Sequence, residues 1–310
     1  MKKRPLLAVV AVVIVIILIG GVVRWVQTSE DSEVGLSPSP APEAPSSPAG
    51  PEQPDWCPAV EVIAAPGTWE SSATDDPINP TANPNSFMLT VSGPLQQRYT
   101  PDEVKVWTLP YTAQFRNVQA MHEMSYDESR DEGASRLKAE LLETHRDCPL
   151  TDFVLMGFSQ GAVIVGDMAN VIGSGNGPIP AERVRGVALV ADGRREPGVG
   201  QVAGPEVAGV GAEISMQPLG GVTQVIMPGA SMRGPRVGGF GSLDDRTFEI
   251  CAPDDHICDA PVGVGNAVER AQALIAAQGV HAQYATNPVV FPGSTTSQWL
   301  IDWTAGLIDR

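Results

Sequence analysis

One segment limits the folds open to this chain more than any other: FVLMGFSQGAVIVG, Phe153–Gly166. An apolar run stops at Gly157, Ser159 stands between two glycines, and a second run of small apolar residues follows. The first run shows no alternation of apolar and polar residues. That is the pattern of a strand buried on both faces, and hence of a parallel sheet. The second run reads as a buried helix from Gly161 to Ile172. Gly-x-Ser-x-Gly has chemical meaning at such a strand–turn–helix junction. The tight turn excludes side chains two positions either side of the serine. Ser159 then stands above the sheet at a helix N-terminus, where free N–H groups stabilise a developing oxyanion.

Similar unbroken apolar runs occur at Val60–Ala65, Val104–Leu109, Val187–Ala191 and Val222–Met227, and each is expected to be a strand. Helical spacing separates them. Ser129–Arg146 places Ala134, Leu137 and Leu141 on one face, and the tail from Thr295 to Arg310 does the same with Trp299, Leu300 and Trp303. Alternating strands and helices predict an α/β layered fold. The Gly- and Pro-rich stretch Arg194–Gly241 is expected to be mostly loop around one strand.

A serine nucleophile needs a base and a group that orients it. The chain has four histidines: His122, His145, His256 and His281. In a fold of this kind the order along the chain is Ser, then Asp or Glu, then His. His122 and His145 precede Ser159 and drop out. His256 directly follows Asp254 and Asp255 in CAPDDHIC, too close in sequence to face a partner among them. His281, in a loop expected to follow an alanine-rich helix, is the better base.

The ends of the chain and its charge set the compartment. Lys2, Lys3 and Arg4 precede an uncharged stretch from Pro5 to Val23, close to the roughly 20 residues that span a bilayer. Arg24 and Trp25 suit an interface anchor better than a cleavage site. Residues 1–29 are therefore expected to be a transmembrane anchor, with a secretory signal as the alternative. Seven prolines lie between Pro38 and Pro54, so 30–56 reads as an extended linker and 57–310 as the folded domain. Segment 1–29 holds four of the 20 basic residues and none of the 36 acids. The rest is strongly acidic, which excludes nucleic acid as a natural partner and suits a soluble envelope protein. Four cysteines, Cys57, Cys148, Cys251 and Cys258, imply two disulfides in an oxidising compartment, with three pairings open. The crowding of Cys, His and Asp in CAPDDHIC fits no zinc spacing.

CPAVEVIAAPGT, CPLTDFVLMGFSQGA, CAPDDHIC and HAQY occur here in the order seen in cutinases. From Cys57 to Tyr284 the chain resembles a cutinase-like serine esterase, most similar to the membrane-anchored branch of mycolic-acid-containing bacteria. The resemblance implies an α/β-hydrolase three-layer sandwich around a mostly parallel, five-stranded sheet. It implies Ser159 as nucleophile, Asp255 as acid and His281 as base. The oxyanion hole falls to the backbone N–H of Gln160 and to Thr68, and the disulfides to Cys57–Cys148 and Cys251–Cys258. Cutinases commonly carry Gly where Asp254 stands, so Asp254 is a second candidate for the acid. Arg194–Gly241 and the tail after Tyr284 are longer than in small fungal cutinases. The implied activity is cleavage of fatty-acyl esters, phospholipids and thioesters included, with no metal and no organic cofactor. Two alternatives share the scaffold: transfer of the acyl group to a sugar or lipid hydroxyl, and a silent envelope-binding protein that has lost its triad.

Overall fold

The computed structural model describes residues 53–262 and 279–310. The expected anchor, most of the linker and the alanine-rich helix before His281 lie outside the described residues. No helix among the described residues is long and apolar enough to cross a membrane.

Six strands form one sheet: β1 (Val60–Ala65), β2 (Val104–Thr108), β3 (Asp152–Phe158), β4 (Val184–Val190), β5 (Gln201–Val202) and β6 (Thr247–Ile250). Their order is β2-β1-β3-β4-β6-β5, and every pairing is parallel. Side chains alternate between two cores. Val60, Val62 and Ala64 of β1 face one side, with Val154 and Met156 of β3. Ile63 and Ala65 face the other, with Phe153 and Leu155. Helices α1 (Leu89–Arg98) and α6 (Thr296–Ile308) cover the first face through Val91, Leu95, Leu300 and Leu307. Helices α2 (Tyr126–Asp147) and α3 (Gln160–Gly173) cover the second through Leu137, Leu141, Ile164 and Val165. Burying strands on both faces is what their unbroken apolar sequence demands.

The α2 helix starts three residues before its expected position. Ser125 caps it, its side chain accepting the Glu128 amide while the Glu128 carboxylate accepts the Ser125 N–H. This reciprocal pair satisfies two end donors at once.

Two expectations are corrected. Val222–Met227 is not a strand: Gly220–Ile226 forms a short helix, α5. The segment lies outside the sheet, so a strand there would have no neighbour to pair with. A helical turn instead buries Thr223 and Met227, four residues apart, and leaves Val225 exposed. The fifth strand is the four-residue β6, and β5 adds a two-residue edge, giving six strands rather than five. The stretch Arg194–Gly241 is mostly loop, as expected, broken by short helices, α4 (Ala212–Met216) and α5, and by an edge strand. With Tyr126, residues Ala212, Met216, Met227 and Ala230 form a third small apolar core.

Candidate active site

Three segments that leave the C-terminal ends of strands in the middle of the sheet meet at one place, as ligand sites of open parallel sheets do. They follow β1, β3 and β6.

After β3 the chain turns at Ser159, with φ 55° and ψ −118°. A non-glycine residue held there is strained by about 1–3 kcal/mol and persists only where its surroundings fix it. The glycines on either side are required by contact. A Cβ on Gly157 would stand 2.4 Å from the Gly161 carbonyl oxygen, and one on Gly161 would stand 2.1 Å from that of Ala65. The Ser159 amide donates to the Val190 carbonyl at 2.9 Å, which pins the turn to the end of β4.

Opposite Ser159 lies His281, in a single 3-10 turn spanning Gly279–Gln283. Its Nε2 is 3.0 Å from Ser159 Oγ, and its Nδ1 is 2.9 Å from Asp255 Oδ2 and 3.2 Å from Oδ1. The ring stacks on Phe158 with centroids 5.0 Å apart. Asp255 follows β6 in a loop closed by the Cys251–Cys258 disulfide. The second disulfide joins Cys57 to Cys148. Both pairings are those the cutinase resemblance implies.

Asp255 is buried and accepts from the Tyr284 hydroxyl at 2.8 Å and from the Ile257 amide at 3.1 Å. Burial pushes its carboxyl up. The neighbouring imidazole and the hydrogen bonds from His281, Ile257 and Tyr284 outweigh this and hold it below the usual carboxylate range. A carboxylate there keeps the proton on Nδ1 and leaves the Nε2 lone pair toward Ser159 Oγ. Burial, and then the Asp255 charge, push the Tyr284 phenol well up, so it stays a donor.

Asp254 and His256 are exposed, and neither meets His281. Asp254 adopts φ 65°. Glycine takes this conformation without strain and Asp tolerates it, which accounts for the glycine that cutinases commonly have there.

Gln160 opens α3, where the first amides have no acceptor within the helix. Its side chain is buried and receives the Tyr111 and Ser129 hydroxyls, both at 3.3 Å. Thr68 lies in the loop after β1, and with Ser159, Gln160 and His281 it borders a cavity of about 330 Å³. Phe87, Phe115, Phe158, Val163, Met232 and Ile257 make its wall largely apolar.

The region around Met232 is held by charge. Asp167 on α3 takes Arg194 Nη1 and Arg236 Nε, each at 2.8 Å, and Arg233 as well. Arg233 also pairs with both oxygens of Glu213, at 2.8 and 2.9 Å, and Arg236 pairs with Asp192. Burial pushes the Asp167 carboxyl up, but the three guanidinium groups bring it below its ordinary value.

A family model described as Cutinase matches residues 56–283. The chain belongs to the cutinase family. As a cutinase it is a carboxylic ester hydrolase. It is 62% identical over 309 residues to Carboxylesterase Culp6 homolog of Corynebacterium glutamicum, covering 99% of each chain. It is 29% identical over 161 residues to Carboxylesterase Culp1 of Mycobacterium tuberculosis, covering 52% of this cutinase and 57% of that protein. Among solved structures, an acetyl xylan esterase is similar at a TM-score of 0.48 and 16% identity, covering 81% of this chain and 99% of that one. A cutinase-like protein from Cryptococcus sp. is similar at a TM-score of 0.45 and 14% identity, covering 83% and 98%.

Tyr284, Phe158 and Glu70 touch the site without having been singled out from the sequence. The signal for Tyr284 was its place in HAQY, three residues after His281. For Glu70 it was its place two residues after Thr68, in GTWE.

Proposed function

We propose that Ser159, His281 and Asp255 act as a catalytic triad on fatty-acyl esters of the cell envelope. Ser159 Oγ attacks the ester carbonyl carbon as its proton passes to His281 Nε2. The tetrahedral oxyanion is held by the Gln160 amide and by Thr68. Collapse expels the alcohol, which takes the proton from Nε2, and leaves an acyl-enzyme. Water then adds to the acyl carbon, giving its proton to Nε2, and the acid leaves as Ser159 recovers its hydrogen. Asp255 keeps the imidazole in one tautomer and balances its charge when it is protonated. The observation that carries this reading is the continuous line from Oγ to Nε2 at 3.0 Å and from Nδ1 to Oδ2 at 2.9 Å, with Ser159 and His281 bordering a largely apolar cavity.

The apolar wall supports acyl chains, including those of phospholipids and thioesters, as the substrate class. Assaying the full-length chain against esters of graded acyl length tests this. Turnover that rises beyond acetyl and vanishes in Ser159→Ala is expected, whereas no hydrolysis at any length would overturn it.

The uncharged span Pro5–Val23 supports a membrane tether, and within the linker 30–56 the proline-rich stretch Pro38–Pro54 supports a spacer reaching roughly 50 Å at about 3.1 Å per residue. The hydrolase domain, 57–310, then works on the extracytoplasmic side. Full-length protein is expected to stay with membranes through a high-salt wash. A mature soluble protein with a new N-terminus after residue 20 would show a cleaved signal.

A further inference from the structure

We propose that Glu70 is a positioning residue for the oxyanion hole, holding the loop Pro66–Trp69 in the shape that offers Thr68 to the reacting carbonyl. The proposal rests on the reading of Ser159 and Thr68 given above.

The Glu70 carboxylate gathers three donors. The Gly67 amide reaches Oε2 at 3.1 Å, the Ser86 hydroxyl reaches Oε2 at 3.0 Å, and the Phe87 amide reaches Oε1 at 3.0 Å. The Glu70 amide returns a bond to the Gly67 carbonyl at 3.1 Å. Residues 67–70 are therefore closed into a turn from both ends, with Thr68 and Trp69 at its centre. The same carboxylate joins that turn to the residues just before α1.

The turn needs holding. Trp69 has φ 64°, a conformation that suits glycine rather than a bulky side chain. Its carbonyl accepts from Asn83 Nδ2 at 3.0 Å, and its indole N–H donates to the Glu123 carboxylate at 2.9 Å. Strained backbone of this kind persists where surrounding bonds over-determine it, and it concentrates at reacting centres. Among the described residues, non-glycine positive φ occurs at four positions: Trp69, Ser159, Asp254 and Ala191. Ser159 is the proposed nucleophile, Trp69 adjoins Thr68, and Asp254 adjoins Asp255.

The loop also has little freedom against the base. A Cβ on Gly67 would come within 2.8 Å of the Phe158 ring, and that ring stacks on His281. Phe87, whose amide Glu70 receives, packs on Phe158 with centroids 4.9 Å apart. Releasing Glu70 would let Gly67 and Thr68 move relative to a serine and histidine that stay fixed by α3 and Asp255. A displacement of about 1 Å in a catalytic group lowers rate roughly 100-fold.

The test uses full-length Glu70→Gln and Ser86→Ala, an ester soluble as monomers, and a boronic acid that forms a tetrahedral adduct on Ser159. Glu70→Gln keeps an acceptor oxygen but turns a donor toward Gly67 and Ser86 or toward Phe87. Its kcat is expected to fall about 100-fold with KM within about twofold, and its boronate Ki to rise by a similar factor. Ser86→Ala removes one of the three donors and should move kcat and Ki the same way by about three- to tenfold. It reports even if Glu70→Gln does not fold. Unchanged boronate affinity in either folded variant would overturn the proposal. So would a rise in KM equal to the loss in kcat. Failure of the underlying triad reading would look different: Ser159→Ala would stay active, or the boronate adduct would form on another residue.

Discussion

Asp255 holds His281, which borders the cavity, and Asp167 on α3 holds Arg233, the neighbour of Met232, which borders it too; the carboxyl of each lies below its ordinary value. Their partners differ. Asp167 faces three guanidinium groups, which keep their protons at any pH a protein meets. Asp255 faces one imidazole, whose other nitrogen reaches a hydroxyl. The first cluster can only hold its parts together, and it fastens the Arg194–Gly241 stretch over the cavity. The second can hold and also pass a proton along. Both clusters are built around a buried carboxylate, and what separates them is the partner: an imidazole can give and take a proton, a guanidinium cannot.

The sharpest way to break this contrast is to change each carboxylate's partner set and compare turnover with stability. Asp255→Asn should lower turnover by about 10⁴ with the fold intact, because the wrong imidazole tautomer then faces Ser159. Asp254→Asn and His256→Ala should each cost far less, since both residues are exposed and away from His281. Steady-state kinetics of the three variants on one soluble ester checks this. A larger loss at Asp254 would move the acid role there.

At the other cluster the loss should fall on stability. Arg236→Met leaves Asp192 buried without its bidentate partner, and breaking a buried pair costs about 3–5 kcal/mol. Urea denaturation should show a loss of that size, while kcat on an acetyl ester stays within a few-fold of the parent. A collapse of kcat without a loss of stability would mean that this cluster also serves the chemistry.

The two disulfides extend the comparison. Cys57–Cys148 closes a long loop and should contribute up to about 4 kcal/mol on the chain-entropy model. Cys251–Cys258 closes a short one around Asp255, so its loss should lower turnover more than stability. Paired Cys→Ser variants, each assayed both ways, separate the two.

The smallest effect on turnover is expected at Glu61, a buried carboxyl on β1 beside Lys105, Glu140 and Thr144. Burial, opposed by Lys105, pushes it up to about 8. An unfolded chain holds it near 4.3, as a reference glutamate titrates at about that value. The folded state therefore keeps the extra proton between those values. Its stabilising contribution is full below about pH 4.3 and is lost as pH rises through about 8. Glu61→Gln should flatten that decline, read as urea midpoints at pH 5, 7 and 9. An unchanged slope would mean that Glu61 is ionised in the fold.

Much of the fold was legible because its signals are local. The turn at Ser159 announces itself through two glycines whose Cβ atoms would strike backbone. The strands before it announce themselves through apolar residues on both faces. β6 was not legible: Thr247–Ile250 places Glu249 in the middle of a short strand, and its carboxyl is buried next to Asp192 and Arg236. Val222–Met227 misled in the opposite direction, since β-branched residues read as a strand when the decisive fact, a free sheet edge, is not local. At the site, sequence order singled out Ser159 and His281, while the choice between Asp254 and Asp255 turns on a backbone angle that composition does not carry. The arginine cluster on Asp167 was invisible for the same reason, because its members are up to 69 residues apart.

One measurement bears most directly on the division between the two clusters: the site and rate of labelling by a serine-directed fluorophosphonate, read by peptide mass spectrometry. A single adduct on Ser159 is expected. Its rate should fall by orders of magnitude in His281→Ala and stay close to the parent in Arg236→Met. An adduct on another residue, or labelling of Ser159 at an undiminished rate without His281, would contradict the account.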